Sequence, residues 1–130
     1  MKDLSNKEDI KKLIDHFYTQ VKQDQVIGPV FLNKIEEQDW PAHLELMYNF
    51  WNTVLFDSLE YRGNPFSKHL GLKLQDVHFD RWLELMQASV QANFEGEKAD
   101  EILDRADKMS QVFKAKFQDI RANPGRYPIM

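Results

Sequence analysis

The spacing of apolar residues along this 130-residue chain is helical. Apolar side chains recur every three or four positions, whereas the alternating β-branched runs typical of strands are missing. Ser5 and Glu8 have the spacing of a capping box, so the first helix is expected to begin near Ser5 and to end before Gly28 and Pro29. Its apolar face consists of Ile10, Leu13, Ile14, Phe17 and Val21. The pattern predicts an all-α protein.

A second helix is predicted from Asp39 to about Asp57, with Asp39 near the cap and Pro41 in the first turn. A short turn before it holds Val30, Phe31 and Leu32. Apolar residues cover most of the second helix, namely Leu44, Leu46, Met47, Phe50, Trp51, Val54 and Leu55. A helix that is apolar on most sides must be buried on more than one side, so this one is expected to be the centre of the fold.

The segment after the second helix is predicted to be irregular. Residues 57–65 include Gly63 and Pro65 and have the composition of a loop. A helical piece at residues 66–70, ended by Gly71, is too short to be stable alone. His69 therefore lies on a marginal element.

Two further long helices are expected in the second half of the chain. One begins near His78 and presents Phe79, Trp82, Leu83, Met86 and Val90. Glu95 and Gly96 separate it from the other, which carries Ala99, Ile102, Leu103, Ala106, Met109, Phe113 and Phe117. From Asn123 onward two prolines and a glycine predict a non-helical tail.

Composition excludes several classes of function. The chain has 17 Lys and Arg against 21 Asp and Glu, so there is no electrostatic reason to expect binding to nucleic acid or to an anionic membrane. Cysteine is absent, which excludes disulfides, thiolate metal sites and a cysteine nucleophile. The charged start does not resemble a secretion signal, and no apolar run approaches the roughly 18 residues of a membrane span. A cytoplasmic location is expected.

Two histidines lie among bulky apolar residues. His43 shares a helical face with Met47, Phe50 and Trp51, and His69 lies in a short segment beside Phe66. A polar ring in such surroundings needs a partner within the protein or in a bound ligand. For either histidine alone, core packing with a satisfied ring is the commoner alternative.

The other histidines and Tyr18 need no ligand on their own. His16 has polar helical neighbours, and His78 is expected near a helix start. Tyr18 lies at the edge of the first helix's apolar stripe, where its hydroxyl reaches the surface or needs a partner.

Several metal sites do not fit this set of residues. A structural zinc site needs closely placed Cys or His ligands, and a di-iron bundle needs Glu-x-x-His pairs, neither of which is present. One neutral imidazole is enough to hold haem iron when an apolar pocket supplies the rest of the binding. The composition therefore suits haem.

The chain resembles the truncated, or 2-over-2, globins of the third group. The resemblance spans about residues 8–118 and lies in Phe17-Tyr18, GPVF ending at Phe31, WPAH at 40–43, NFW at 49–51, GNPFSKH at 63–69 and HFDRWL at 78–83. It implies a globin-like 2-over-2 helical sandwich with a shortened proximal helix. Residues 1–122 would form this single domain, and residues 123–130 the tail.

The resemblance also implies roles for individual residues. His69 would be the proximal ligand of the iron of haem b, while Tyr18, Trp82 and His43 would stabilise a ligand on the distal side. The residues expected around the cofactor are Phe31, His43, Met47, Arg62, Phe66, Lys68, His69, Leu72, Trp82 and Met86, with Arg62 and Lys68 near the propionates. Whether His43 itself coordinates iron in the ligand-free protein stays open, as does the oligomeric state.

A haem protein of this kind is expected to bind dioxygen, NO and CO reversibly. Turnover of NO to nitrate or of peroxide is a further hypothesis, and it would need a separate reductase because no flavin or nicotinamide domain is present in these residues. The alternative is a haem-free globin-like module that binds a protein or an apolar ligand. Such a module has no physical need for the polar groups of Tyr18, His43, His69 and Trp82.

Overall fold

The computed structural model describes residues 1–65, 69 and 72–124. In these residues the chain forms five α-helices and one short 3₁₀ turn, with no strand, which confirms the all-α prediction. The helices are α1 (Lys7–Gln23), α2 (Gly28–Lys34), α3 (Trp40–Phe56), α4 (Asp76–Asn93) and α5 (Glu97–Ala122). Within the described ranges, none of these helices is both long and apolar enough to cross a membrane.

The long helices form two antiparallel pairs. Along α1 and α3, Tyr18 meets His43 and Lys22 lies over the Trp40 ring, so the end of α1 lies beside the start of α3. Along α4 and α5, the start of α4 lies beside the end of α5, as shown by the contacts of Asp76 with Gln118 and Arg121 and of Asp80 with Lys114. Two crossed pairs of this kind enclose space between them as well as a core.

Helix α1 is the most deeply buried element, which corrects the prediction that α3 is the centre. Ile10, Leu13, Ile14 and Val21 have no exposed surface. On α3, by contrast, Leu46 is 43% exposed. The apolar circumference of α3 arises because one side packs on α1 and another faces a cavity.

The start of α1 differs by one residue from the capping box predicted at Ser5. The N-cap is Asn6, whose side chain accepts the backbone N–H of Asp9 at 3.0 Å. Ser5 instead donates both its N–H and its hydroxyl to the Asp9 carboxylate at 2.9 Å. Asn and Ser are about equally good N-caps, so the sequence alone did not separate them.

The segment predicted as a turn at Val30, Phe31 and Leu32 is a helix, α2. Its second residue is Pro29, and proline is favoured in the first turn of a helix because its fixed φ suits that position. Asp24, which follows α1, accepts the N–H groups of Val26 and Ile27 at 3.0 Å and the Arg81 guanidinium at 2.8 Å. Asp24 therefore fixes the α1–α2 corner against α4.

We expect Asp24→Asn to lower the free energy of unfolding by about 1 to 2 kcal/mol at pH 7, because charge-assisted hydrogen bonds are lost. Burial raises the pKa of the Asp24 carboxyl, but the hydrogen bonds from Ile27, Arg81 and Val26 outweigh it and leave the pKa below its ordinary value. A lowered pKa stabilises the fold above the unfolded value of about 3.9, and this contribution is lost as the pH falls through the folded value.

Urea unfolding of both proteins between pH 7 and pH 2 measures this difference. The gap between wild type and Asp24→Asn should close below pH 3.9. Asp104→Asn is the control, since Asp104 is 57% exposed in its pair with Lys108. A gap at Asp24 that stayed constant with pH would show that the carboxylate charge is unimportant.

The start of α4 and the end of α5 agree closely with the positions predicted from the sequence. Helix α4 begins at Asp76, and His78 caps it by accepting the Gln75 N–H on Nδ1 at 2.9 Å. The loop predicted at residues 57–65 is irregular over 57–64, whereas Pro65 already has helical backbone. Helix α5 ends at Ala122, with Asn123 as its C-cap.

Candidate functional site

A cavity of about 350 Å³ lies between the helix pairs. Its lining is mostly apolar and aromatic, and it includes the two histidines singled out from the sequence, His43 and His69. Among the described lining residues Lys34 is the only lysine, arginine or carboxylate, and it is exposed at the end of α2. A concave, mostly apolar pocket with a few polar groups is the usual form of a small-molecule or cofactor site.

The His69 ring is held by the backbone. Its Nδ1 lies 2.5 Å from the carbonyl oxygen of Pro65, and its ring packs on Phe113 at a centroid distance of 5.5 Å. Since a carbonyl only accepts, Nδ1 carries the proton and Nε2 is left with a lone pair. Burial lowers the pKa of His69, partly opposed by the Pro65 hydrogen bond, so the ring is neutral at pH 7.

A second polar group in the cavity is the pair formed by Tyr18 and His43. The Tyr18 hydroxyl lies 3.2 Å from His43 Nε2. Burial raises the pKa of Tyr18, which keeps the phenol protonated. Burial, followed by repulsion from His69 in its protonated form, lowers the pKa of His43. Both groups are therefore neutral at pH 7, and each can donate one hydrogen bond.

Aromatic rings fix the position of Tyr18. Its ring meets those of Phe17, Phe31, Trp40 and His43 edge to face, at centroid distances between 5.0 and 5.7 Å. Edge-to-face packing on several sides leaves a ring little rotational freedom. The Tyr18 hydroxyl is thus set in the cavity by packing rather than by solvent.

Trp82 lies on the α4 side of the cavity. Its indole stacks on Trp51 at a centroid distance of 6.3 Å and meets Phe17 edge to face at 5.7 Å. Both tryptophans line the cavity. An indole N–H can donate a hydrogen bond but cannot accept one. The distal tryptophan expected from the sequence is therefore brought to the same cavity as Tyr18.

Most of the residues expected around a cofactor line this cavity. They are Phe31, His43, Met47, His69, Leu72 and Trp82, and the predicted distal residue Tyr18 lines it as well. Met86 does not, because its side chain is completely buried in the helical core. Arg62 is exposed and is not part of the lining. Phe66 and Lys68 lie outside the described residues.

Sequence reasoning missed several lining residues. Lys34 was missed because α2 was expected to be a turn, and Tyr61 because it lies in an irregular loop. His78 was assigned only to a helix start, where its Nδ1 does act as a cap, yet the residue also lines the cavity. A helical register for residues 28–34 would have placed Lys34 one turn after Phe31.

Comparison with known proteins gives one consistent result. The bacterial-like globin family matches residues 3–115. A group 3 truncated hemoglobin of Campylobacter jejuni is 34% identical over 112 residues, which cover 84% of this chain and 88% of that protein.

The fold agrees as well. A crystal structure of a group III truncated hemoglobin from Campylobacter jejuni matches with a TM-score of 0.83 at 33% identity, covering 90% of this chain and 95% of that chain. The arrangement of the helices is thus that of a truncated globin. The chain belongs to the bacterial-like globin family and, within it, to the truncated haemoglobins of the third group.

Proposed function

We propose that this protein binds haem b through His69 and reversibly binds dioxygen, NO and CO in the cavity beside Tyr18, His43 and Trp82. The observation that carries the proposal is the state of His69. Its Nδ1 is bonded to the Pro65 carbonyl and its ring is neutral, which leaves Nε2 as a metal ligand inside an apolar cavity.

The residues of the cavity fit haem. A neutral imidazole oriented through its second nitrogen is the usual proximal ligand, and apolar walls supply most of the binding to the flat ring. When bound, haem supplies the iron atom to which a diatomic ligand attaches. Phe31, Met47 and Leu72 are apolar lining residues that would contact the ring.

Tyr18 and Trp82 supply the donors for a polar ligand. Both groups would donate hydrogen bonds to a ligand that carries partial negative charge, as dioxygen would when bound to haem, and would stabilise it more than CO. In a site shielded from water these bonds are stronger than in solution. The packing of Tyr18 on four rings means that little reorganisation is needed when the ligand arrives.

Cations at the cavity mouth would meet the haem propionates. Lys34 lines the cavity and lies at its exposed edge. Arg62 and Lys68, the cations expected from the sequence, flank the proximal segment in the chain. Among these three cations we assign Lys34 as the main partner of the propionates, because it is the one that lines the cavity in the described residues.

Turnover of NO is a second activity that this site supports. The net reaction would combine NO and dioxygen into nitrate and consume one electron, which a separate reductase would supply. Neutral donors at Tyr18 and Trp82 favour such chemistry by holding dioxygen in place. Peroxide reduction would depend on the same groups.

A stopped-flow measurement of reversible dioxygen binding tests the proposal. The reduced protein, loaded with haem, is mixed with dioxygen and then with a dioxygen scavenger in a stopped-flow spectrometer. We expect a spectrum of the dioxygen complex that returns slowly to that of the reduced protein. Immediate conversion to ferric protein, with no recoverable reduced form, would contradict reversible binding.

A further inference from the structure

The loop after α3 holds an unfavourable backbone conformation. Asp57 and Leu59 have φ of 54° and 63°, the left-handed region that residues with a Cβ seldom adopt. The Leu59 side chain is 70% exposed, so its own packing does not hold it there. Such conformations persist only where surrounding contacts determine them.

The Glu60 side chain joins this loop to two helices. Its Oε2 accepts from Lys7 Nζ on α1 at 2.6 Å, and its Oε1 accepts from Asn52 Nδ2 on α3 at 2.6 Å. Lys7 also donates to Asn49 Oδ1 at 2.8 Å, which closes the network. Hydrogen bonds from Lys7 and Asn52 lower the pKa of Glu60, so it is ionised at neutral pH.

The loop continues directly from Glu60 into the wall of the cavity. The Tyr61 N–H donates to Thr53 Oγ1 at 3.0 Å, and its ring meets Phe50 edge to face at 5.0 Å. Tyr61 and Pro65 both line the cavity, and the Pro65 carbonyl accepts from His69. A displacement of the loop at Glu60 therefore reaches the His69 ring through a short length of backbone.

We propose that Glu60 is a positioning residue: through Lys7 and Asn52 it holds the loop that places Tyr61 and Pro65 in the cavity wall and so orients His69. The part that concerns His69 as an iron ligand rests on the function proposed above. The part that concerns Tyr61 does not, since it depends only on contacts within the chain.

The test compares Lys7→Met, Glu60→Gln and the double variant in haem-loaded protein. Transfer of haemin to excess apomyoglobin should be about threefold faster in each single variant, the range expected for a partly exposed ion pair. The effect of the double variant should be well below the product of the two single effects, because both residues contribute to the one Lys7–Glu60 ion pair. In resonance Raman spectra of the reduced protein, the iron–histidine stretch should move to lower frequency, because a weaker bond to Pro65 makes the imidazole less basic.

Lys114→Met is the matched control. Lys114 and Asp80 form an ion pair at 2.8 Å with comparable exposure, but this pair joins α4 and α5 and does not touch the loop. It should change neither the haemin transfer rate nor the stretch. Variants at Lys7 and Glu60 that match wild type in both measurements would overturn the proposal.

Amide hydrogen exchange at Tyr61 in the haem-free protein gives a result that does not need the cofactor. Exchange of this amide should be at least about threefold faster in Lys7→Met and Glu60→Gln than in wild type or Lys114→Met. If wild type binds no haemin, the proposed function fails, and this exchange rate alone decides the role of Glu60. In that case, an exchange rate at the Tyr61 amide that is the same in the variants and in wild type would overturn the proposed role of Glu60.

Discussion

Replacing Tyr18 with phenylalanine is expected to speed the release of dioxygen about 10- to 100-fold. The hydroxyl lies in the cavity 3.2 Å from His43 Nε2, buried and protonated, and a hydrogen bond to a ligand that carries negative charge contributes about 1.5 to 3 kcal/mol. The ring itself stays, so its packing on Phe17, Phe31 and Trp40 is preserved. Stopped-flow release of dioxygen from the reduced protein measures the rate.

Tyr48→Phe is the control for the Tyr18 variant. The Tyr48 hydroxyl bonds to Asp15 on the outside of the α1–α3 pair and is not part of the cavity. Removing the Tyr48 hydroxyl should leave the rate of dioxygen release unchanged. In Tyr18→Phe itself, the rate of CO release should change much less than the rate of dioxygen release. Equal dioxygen release from Tyr18→Phe and wild type would assign the stabilisation to Trp82 or His43 instead.

Replacing His69 with glycine is expected to weaken haem binding by at least about 100-fold, since changes in groups that only orient a ligand already cost 10- to 100-fold. Glycine also removes the ring that packs on Phe113, which leaves space for a small molecule. Added imidazole should therefore restore much of the binding and the spectrum of the histidine complex. Haemin titration with and without imidazole measures both effects.

His78→Gly serves as the control, because His78 also lines the cavity but uses Nδ1 to cap α4. It should retain the wild-type spectrum. A second variant combines His69→Gly with His43→Leu. It tests whether His43 binds the iron in place of the missing His69. A His69→Gly protein whose spectrum and affinity equal those of wild type, with His43 also removed, would show that another residue holds the iron.

The sequence was sufficient to predict the long helices, because their apolar stripes are strong and periodic. It was less informative where two neighbouring residues are equally good caps, or where one motif is compatible with two local structures. Asn6 and Ser5 are both good caps, and only the fold decides between them. A Gly-Pro pair can mark the end of one helix or the beginning of the next, and in the structure Gly28 and Pro29 begin α2, which places Phe31 on a helix.

The membership of the site was harder to predict than the fold. Trp82 and Met86 lie one turn apart on α4, yet Trp82 lines the cavity while Met86 is completely buried in the core. Spacing along one helix cannot tell which part of an apolar face meets a neighbouring helix and which part meets a cavity. The pairing of Tyr18 with His43 likewise depends on how α1 crosses α3.

Contacts that depend on irregular backbone could not be anticipated. The Tyr61 ring in the cavity wall follows from the path of the loop after α3. No local pattern in the sequence specifies left-handed residues at Asp57 and Leu59. The loop is held by bonds to Asn52 and Thr53 on α3 and by the bond of Glu60 to Lys7 on α1, and this last contact forms only when the chain folds.

Absorption spectroscopy during a haemin titration, followed by reduction and addition of CO, is the decisive measurement. Binding through His69 in this cavity predicts a Soret band that saturates at one haem per chain and shifts with CO, and that weakens in His69→Gly until imidazole is added. The absence of a saturable band, or a band unaffected by both CO and His69→Gly, would contradict a histidine-ligated haem with an accessible ligand site.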